Sequence, residues 1–312
     1  MVVAIPEADH TNSVQRVLRA FYILARSNRS GGSDEHGAVA GDRSPVLEQP
    51  LVREFLMRVR APSYSQVAPD SHLNVLFTTY FFKQIDPQRK VHAPGDDIKY
   101  IEPWYFSMVR LGLYGVVFHD GLSEEFVRRY QTDRISFEYV PPAAFQGSLN
   151  DYRFFIYRQY LMERPQLRNV FMTDGNDLFI VQNPFRELRT DRIYVGSEVG
   201  DVRKSRWMMR RFQLLNRGGR RFDFKLSRWR TNPIYSAGIL GGSYEMCMEF
   251  LNDMTGKFES LDPEQRKLNL NMAVFNHTVY ERFRHRRVTG VPIHSLYKRY
   301  ESDRQDVWFI HK

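Results

Sequence analysis

The sequence predicts an α/β protein with a mostly parallel central sheet flanked by helices and a less regular second half. Between residues 73 and 185, short β-branched and aromatic runs of about four to eight residues alternate with amphipathic stretches of about ten to fifteen, the rhythm of strands separated by covering helices. The chain of 312 residues is 42% hydrophobic and 14% aromatic, enough to bury a large core in one big domain or two closely fused halves. Past residue 190 the alternation loosens, and no repeat of fixed period occurs.

The elements follow in order. Residues 11–26 place Val14, Val17, Leu18, Phe21, Tyr22 and Ala25 on one helical face, with Asn12 or Ser13 as cap. Residues 27–50 are rich in Ser, Gly, Asp, Glu and Pro and poor in apolar residues, which predicts a flexible linker. Residues 1–70 are therefore expected to hold an amphipathic helix and linker, and residues 71–312 the folded domain, divided into halves at 71–190 and 191–312. The helix has three roles open to it: packing on the body, binding a partner, or lying on a membrane surface. Strands are expected at 73–80, 115–119 and 135–140, and helices at 98–113, from a Ser123 cap to Tyr130, and at 149–162. A further strand leads into Asp174. In the second half, 192–197, 235–240 and 307–310 are expected as strands, and 242–255 and 263–282 as helices. A parallel sheet of this kind binds ligands beyond the carboxyl ends of its strands, where Asp174 falls.

Composition narrows the class. No apolar run approaches the roughly 18 residues of a membrane span, and the N-terminus lacks the basic start and apolar middle of a secretory signal. Cys247 is the single cysteine, so an intrachain disulfide and a thiolate metal cluster are excluded, and a reducing, cytoplasmic location is expected, peripheral membrane contact being one of the roles open to the N-terminal helix. The net charge of +9 is concentrated: residues 203–230 hold eleven Lys or Arg against the single Asp223. Such a segment meets nucleic acid phosphates, an anionic membrane or an acidic substrate, or is a solvated helix face and loop.

The most informative stretch is 169–185, Asn-Val-Phe-Met-Thr-Asp-Gly-Asn-Asp-Leu-Phe-Ile-Val-Gln-Asn-Pro-Phe, where two acidic residues interrupt an apolar, strand-like run. Gly175 permits a sharp turn, and Asn183-Pro184 ends the second apolar run. Asp174 and Asp177 would project together from a strand edge. Two adjacent carboxylates repel and pay for desolvation unless a cation sits between them, and a hard divalent ion with oxygen ligands is the usual solution.

This motif, followed by an apolar run and Asn-Pro, resembles that of the GT-A fold glycosyltransferases, in which an Asp-x-Asp-type motif holds a nucleotide-sugar through a divalent cation. The resemblance is to a superfamily and covers roughly residues 73–312, with spacing here of Asp-x-x-Asp. It implies a GT-A, Rossmann-like fold with a nucleotide-sugar half and an acceptor half. It also implies a hexosyl- or pentosyltransferase that moves a sugar from a nucleoside-diphosphate-sugar to a hydroxyl on a glycan, lipid or protein, with Mn²⁺ or Mg²⁺ held by Asp174 and Asp177. In many members a His near the C-terminus completes the metal shell; His311 resembles it, with Lys312 beside it for phosphate. Thr78 and Thr79 end a strand like the one that lines the nucleotide pocket. Asn150-Asp151-Tyr152-Arg153 resembles the segment that supports base and diphosphate, where Arg153 pairs with phosphate or, equally, with a carboxylate of the protein. The run 235–242, containing Gly238, is similar to the small-residue strand that lets sugar and acceptor approach the backbone. Residues 262–276 look like the helix that contributes acceptor-side groups, with Asn269 or Asn271 standing where an acid is often found. An inverting reaction needs a carboxylate base, for which Glu198 is a candidate beside a structural role.

Two other classes remain open. A metal-dependent phosphohydrolase or nuclease would want a second metal, to which His119 and Asp120 could contribute. A non-catalytic nucleic-acid binder would use 203–230, with Trp207, Phe212, Phe222 and Trp229 interleaved for stacking; it leaves the acidic motif unexplained, and no nucleic acid partner is expected.

Overall fold

A seven-stranded sheet carries the structure, a computed structural model that describes residues 71–83, 85, 91–141, 147–216, 229–296 and 304–311. The helix and linker expected within 1–70, the segment 217–228 and Lys312 lie outside the described residues.

In chain order the chain forms β1 (Asn74–Tyr80), α1 (Glu102–Leu111), β2 (Tyr114–His119), α2 (Glu124–Tyr130), β3 (Ile135–Tyr139), α3 (Leu149–Met162) and β4 (Asn169–Thr173). There follow β5 (Leu178–Ile180), β6 (Ile193–Asp201), α4 (Arg206–Asn216), β7 (Pro233–Ser243), α5 (Tyr244–Ser260), α6 (Pro263–Arg266), α7 (Asn271–Arg282), β8 (Arg287–Val288), β9 (His294–Leu296) and β10 (Phe309–His311). The main sheet has the order β3-β2-β1-β4-β7-β6-β8, and β5-β10-β9 form a small second sheet. β1, β2, β3 and β4 are mutually parallel, whereas β7 runs antiparallel to both neighbours, β4 and β6, so β7 alone is reversed. Chain order changes direction between β1 and β4, the place where an open α/β sheet leaves a crevice at its strand ends.

Burial on both faces follows from the strand period of two. Val75, Phe77, Val116, Phe118, Val170 and Met172 point into one core with Phe154 and Tyr157 of α3, Phe250 of α5 and Phe275 of α7. Leu76, Val117, Phe171 and Tyr194 face the opposite core, closed by Trp104 and Met108 of α1 and Phe126 of α2. Phe171 lies opposite Gly241 in the β4–β7 register, and a β-carbon at Gly241 would collide with the Phe171 ring. Glycine is what lets the ring lie flat over the neighbouring strand.

Local signals explain most helix ends. Ser123 caps α2 by accepting from the Phe126 amide, and Ser148 caps α3 by accepting from the Asn150 amide. The helix expected at 98–113 divides into a 3₁₀ turn, Ile98–Tyr100, and α1, with Pro103 in its first turn. The helix expected at 263–282 is likewise two. α6 is closed by a capping box between Asp262 and Gln265, and the Gln265 side chain donates to the carbonyls of Leu214 and Leu215, tying this end to α4. α7 starts afresh at Asn271 without a cap from its own preceding residue. The buried carboxyl of Asp151, on α3, faces the amides of Leu270 and Asn271 and serves in its place. β6 runs on to Asp201 and β7 spans Pro233–Ser243, both longer than expected, whereas β8 and β9 are too short to leave a pattern.

Candidate metal centre

The acidic turn is positioned by four neighbours. Thr173, the last residue of β4, accepts a hydrogen bond from Trp104 Nε1 at 2.9 Å, which pins the strand end to α1. The Asp174 amide donates to the Gly238 carbonyl at 3.0 Å. Beyond the turn, Arg110 of α1 donates to the carbonyls of Ile180 and Val181 and holds β5. β10 pairs antiparallel with β5, His311 opposite Leu178, and so delivers the imidazole beside Asp177.

The reversal of β7 matters here. Its register with β6 shifts between Val195–Leu240 and Gly196–Ser236, leaving Ala237, Gly238 and Ile239 in the irregularity. The carbonyls released there find other donors: Gly238 takes the Asp174 amide, and Ala237 takes Arg153 Nη2 at 3.0 Å. Nη1 of Arg153 pairs with Asp174 Oδ1. Of the two partners expected for Arg153, phosphate or protein carboxylate, the structure displays a carboxylate, that of Asp174.

Nε2 of His311 lies 3.4 Å from Asp174 Oδ2 and 3.4 Å from Asp177 Oδ1. One ligand atom from each of these three residues falls within 4.8 Å of the other two. Burial opposes a charge on His311, yet the hydrogen-bonded carboxylates of Asp174 and Asp177 outweigh it and raise the imidazole to about 9. Burial also opposes the Arg153 charge, and Asp174 outweighs it in the same way.

The three groups fit a divalent ion. Two carboxylate oxygens and an imidazole nitrogen suit Mg²⁺ or Mn²⁺, the nitrogen being easier for Mn²⁺. Space is kept for an ion because position 238 has no side chain: a β-carbon there would come within 2.6 Å of both Asp174 Oδ2 and His311 Cε1. An ion requires the neutral imidazole, so it competes with the proton on Nε2.

A cleft of about 340 Å³ opens beside this trio, bounded by Arg153, Asp174, Gly238 and His311 and, further out, by Glu198, Trp207, Asn269 and Asn271. Seven of the expected site residues thus meet in one region: Arg153, Asp174, Gly238, His311, Glu198 and Asn271 line the cleft and Asp177 completes the trio. Thr78 and Thr79 lie at the carboxyl end of β1, next to β4; Thr78 is fully buried under Gly175, and neither lines the cleft. Sequence reasoning missed Ser205, Met208, Ile234 and Met272, which line it too; nothing about an isolated serine or apolar residue marks it as such.

His119 and Asp120 serve elsewhere. His119 Nδ1 accepts from the Leu122 amide, and Asp120 accepts from the amides of Phe82 and Lys83, so both organise the end of β2. Among the described residues the one group of three or more possible metal ligands is Asp174, Asp177 and His311, and neither His119 nor Asp120 belongs to it. The stacking array that the nucleic-acid alternative would use in 203–230 is corrected as well: Phe212 and Trp229 are core residues, and Phe222 lies outside the described residues. The helical period explains it, since Met208, Phe212 and Leu215 form the buried face of α4. No described helix is long and apolar enough to cross a membrane.

No family model matches the chain, and no curated protein matches it. Among solved structures, one that resembles it is a glycosyltransferase involved in the glycosylation of the major capsid of PBCV-1, with 13% identity, 76% of this chain and 91% of that chain covered, and a TM-score of 0.40. At that score and identity the chemistry of the cleft has to be read from its own side chains.

Proposed function

We propose that the chain is a divalent-cation-dependent glycosyltransferase acting on a nucleoside-diphosphate-sugar and a hydroxyl acceptor. The observation that carries this reading is the Asp174–Asp177–His311 trio, set at the carboxyl end of β4 beside the sheet's switch point and opening on a cleft lined by apolar, neutral polar and ionisable side chains. Asp174, Asp177 and His311 would hold Mn²⁺ or Mg²⁺. Such an ion, when bound, offsets the negative charge that grows on a diphosphate leaving group.

The chain's own residues divide the remaining work. Arg153 fixes one oxygen of Asp174 and leaves the other turned to His311. The hydroxyl of Thr79 and the ammonium of Lys312 are assigned to the donor side, whereas Thr78, fully buried under Gly175, supports the turn from beneath. Gly238 lets the sugar approach the backbone of β7. Glu198 is the candidate base: it takes the acceptor hydroxyl's proton while the new bond forms at the anomeric carbon and the bond to the diphosphate breaks, and Asn271 positions the acceptor.

A panel of nucleotide-sugars, scored for nucleotide release with Mn²⁺, Mg²⁺ or chelator, tests the reading. Release that requires metal and is lost in Asp174→Asn and Asp177→Asn is expected. Full activity in both variants would defeat it, and cleavage of simple phosphoesters in its place would move the chain to another reaction class.

A further inference from the structure

Trp207 is out of place for an indole. The chain has four tryptophans. Trp104, Trp229 and Trp308 are buried, at 0, 4 and 6% exposure, whereas Trp207 is 41% exposed. Its helix does have a buried face, filled by Met208, Phe212 and Leu215; α4 therefore hides the smaller residues and presents the largest to the cleft. What sets this exposed side chain apart is that it lines the cleft, and small-molecule sites are lined by aromatic side chains with a few placed polar groups. Arg211 stacks on the indole at 5.2 Å from the ring centroid, which steadies its orientation.

A second, independent observation lies deeper in the same cleft. Asn269 is 7% exposed, and among the described residues its Oδ1 accepts no hydrogen bond. A buried amide oxygen without a donor is costly unless a ligand or water supplies one. Ser205, Ser236 and Asn271, neutral and hydrogen-bonding, line the same cleft. The cleft takes its lining from β6 and β7, on the far side of β4 from β1.

We propose that Trp207 and Asn269 form a subsite for a pyranose ring, so that the acceptor is a glycan. One face of a pyranose carries C–H groups that pack on an aromatic plane, while its hydroxyls are donors for an orphan amide oxygen. A lipid acceptor would leave Asn269 unpaired, and a flat nucleobase has fewer donors to offer. The inference rests on the glycosyltransferase reading, yet its test does not need turnover.

Because Trp207 is the exposed indole, iodide quenching of tryptophan fluorescence reports on it. The full chain, in chelator and without donor, is titrated with disaccharides of gluco, galacto and manno configuration in α and β linkage. At least one is expected to reduce quenching about twofold with a millimolar midpoint. Trp207→Phe should abolish the quenchable signal, and Asn269→Ala should weaken the midpoint about fivefold or more while leaving quenching of the free protein unchanged. Shielding by no saccharide, or equally by a nucleoside diphosphate, a detergent micelle or an unglycosylated peptide, overturns the proposal. Saccharide shielding without nucleotide release from any donor would retain the subsite and sink the transferase reading, so the two failures are separable.

Discussion

His311 Nε2 and Asp174 Oδ2 stand 3.4 Å apart, beside the space that a β-carbon at Gly238 would fill. Three elements distant in sequence, the end of β4, the irregular middle of β7 and the small strand β10, depend on one missing methyl group for their common chemistry. Gly238→Ala places a carbon 2.6 Å from both neighbours, so Mn²⁺ affinity, measured by titration calorimetry, should fall about tenfold or more while far-UV circular dichroism is retained. Undiminished affinity would show that the ion binds elsewhere.

Arg153 should act on stability and on the metal site together. Its fork joins Asp174 and the Ala237 carbonyl, and a lysine offers one point charge where two directed donors are needed. Arg153→Ala removes one of the charged groups that face Asp174 and the side-chain donor to the Ala237 carbonyl, and should cost about 2–3 kcal/mol in urea unfolding, discounted for the partial exposure of Asp174. Arg153→Lys should recover less than half of that loss. Full recovery would mean that charge alone, not geometry, is what Arg153 supplies.

Gly241→Ala tests the packing of the sheet without touching the cleft. The new methyl would meet the ring of Phe171, which is fully buried, and overpacking of this kind costs about 1–3 kcal/mol. Pairing the change with Phe171→Leu should return part of the loss, because the smaller side chain vacates the contested volume. Strict additivity of the two losses would argue that the ring and the strand are independent.

Acid should destabilise the protein through His277. Burial, with Lys257 nearby, lowers this imidazole to about 3, against about 6.5 in an unfolded chain. Its contribution is complete above pH 6.5 and is lost as pH falls toward 3, because the unfolded chain takes up a proton that the folded one refuses. The loss amounts to about 4 kcal/mol at the lower end. His277→Gln should flatten the acid limb of the stability profile between those pH values; an unchanged limb would place the acid sensitivity in other groups.

Much of this was readable from the chain. Strands β1 to β4 and their helices announced themselves because each spans several residues of one period, and Asp174 and Asp177 because a charge in an apolar run demands a reason. What escaped was tertiary. Arg153 could have met either phosphate or carboxylate, and only the placement of α3 against β4 selects Asp174. The break before Asn271 depends on Asp151, a cap donated by another helix. Phe212 and Trp229 looked available for stacking because a basic segment reads as surface, whereas the helical period turns Phe212 inward and the second core contact at His277 holds Trp229. The reversal of β7 left no trace in its apolar sequence.

Ribosomes make a chain from its N-terminus, and this bears on β10. The acidic turn, its supporting arginine and Gly238 are all synthesised well before Phe309–His311. Until that strand pairs with β5, the two carboxylates lack their third companion, so the trio is a product of tertiary pairing and not of the acidic turn alone.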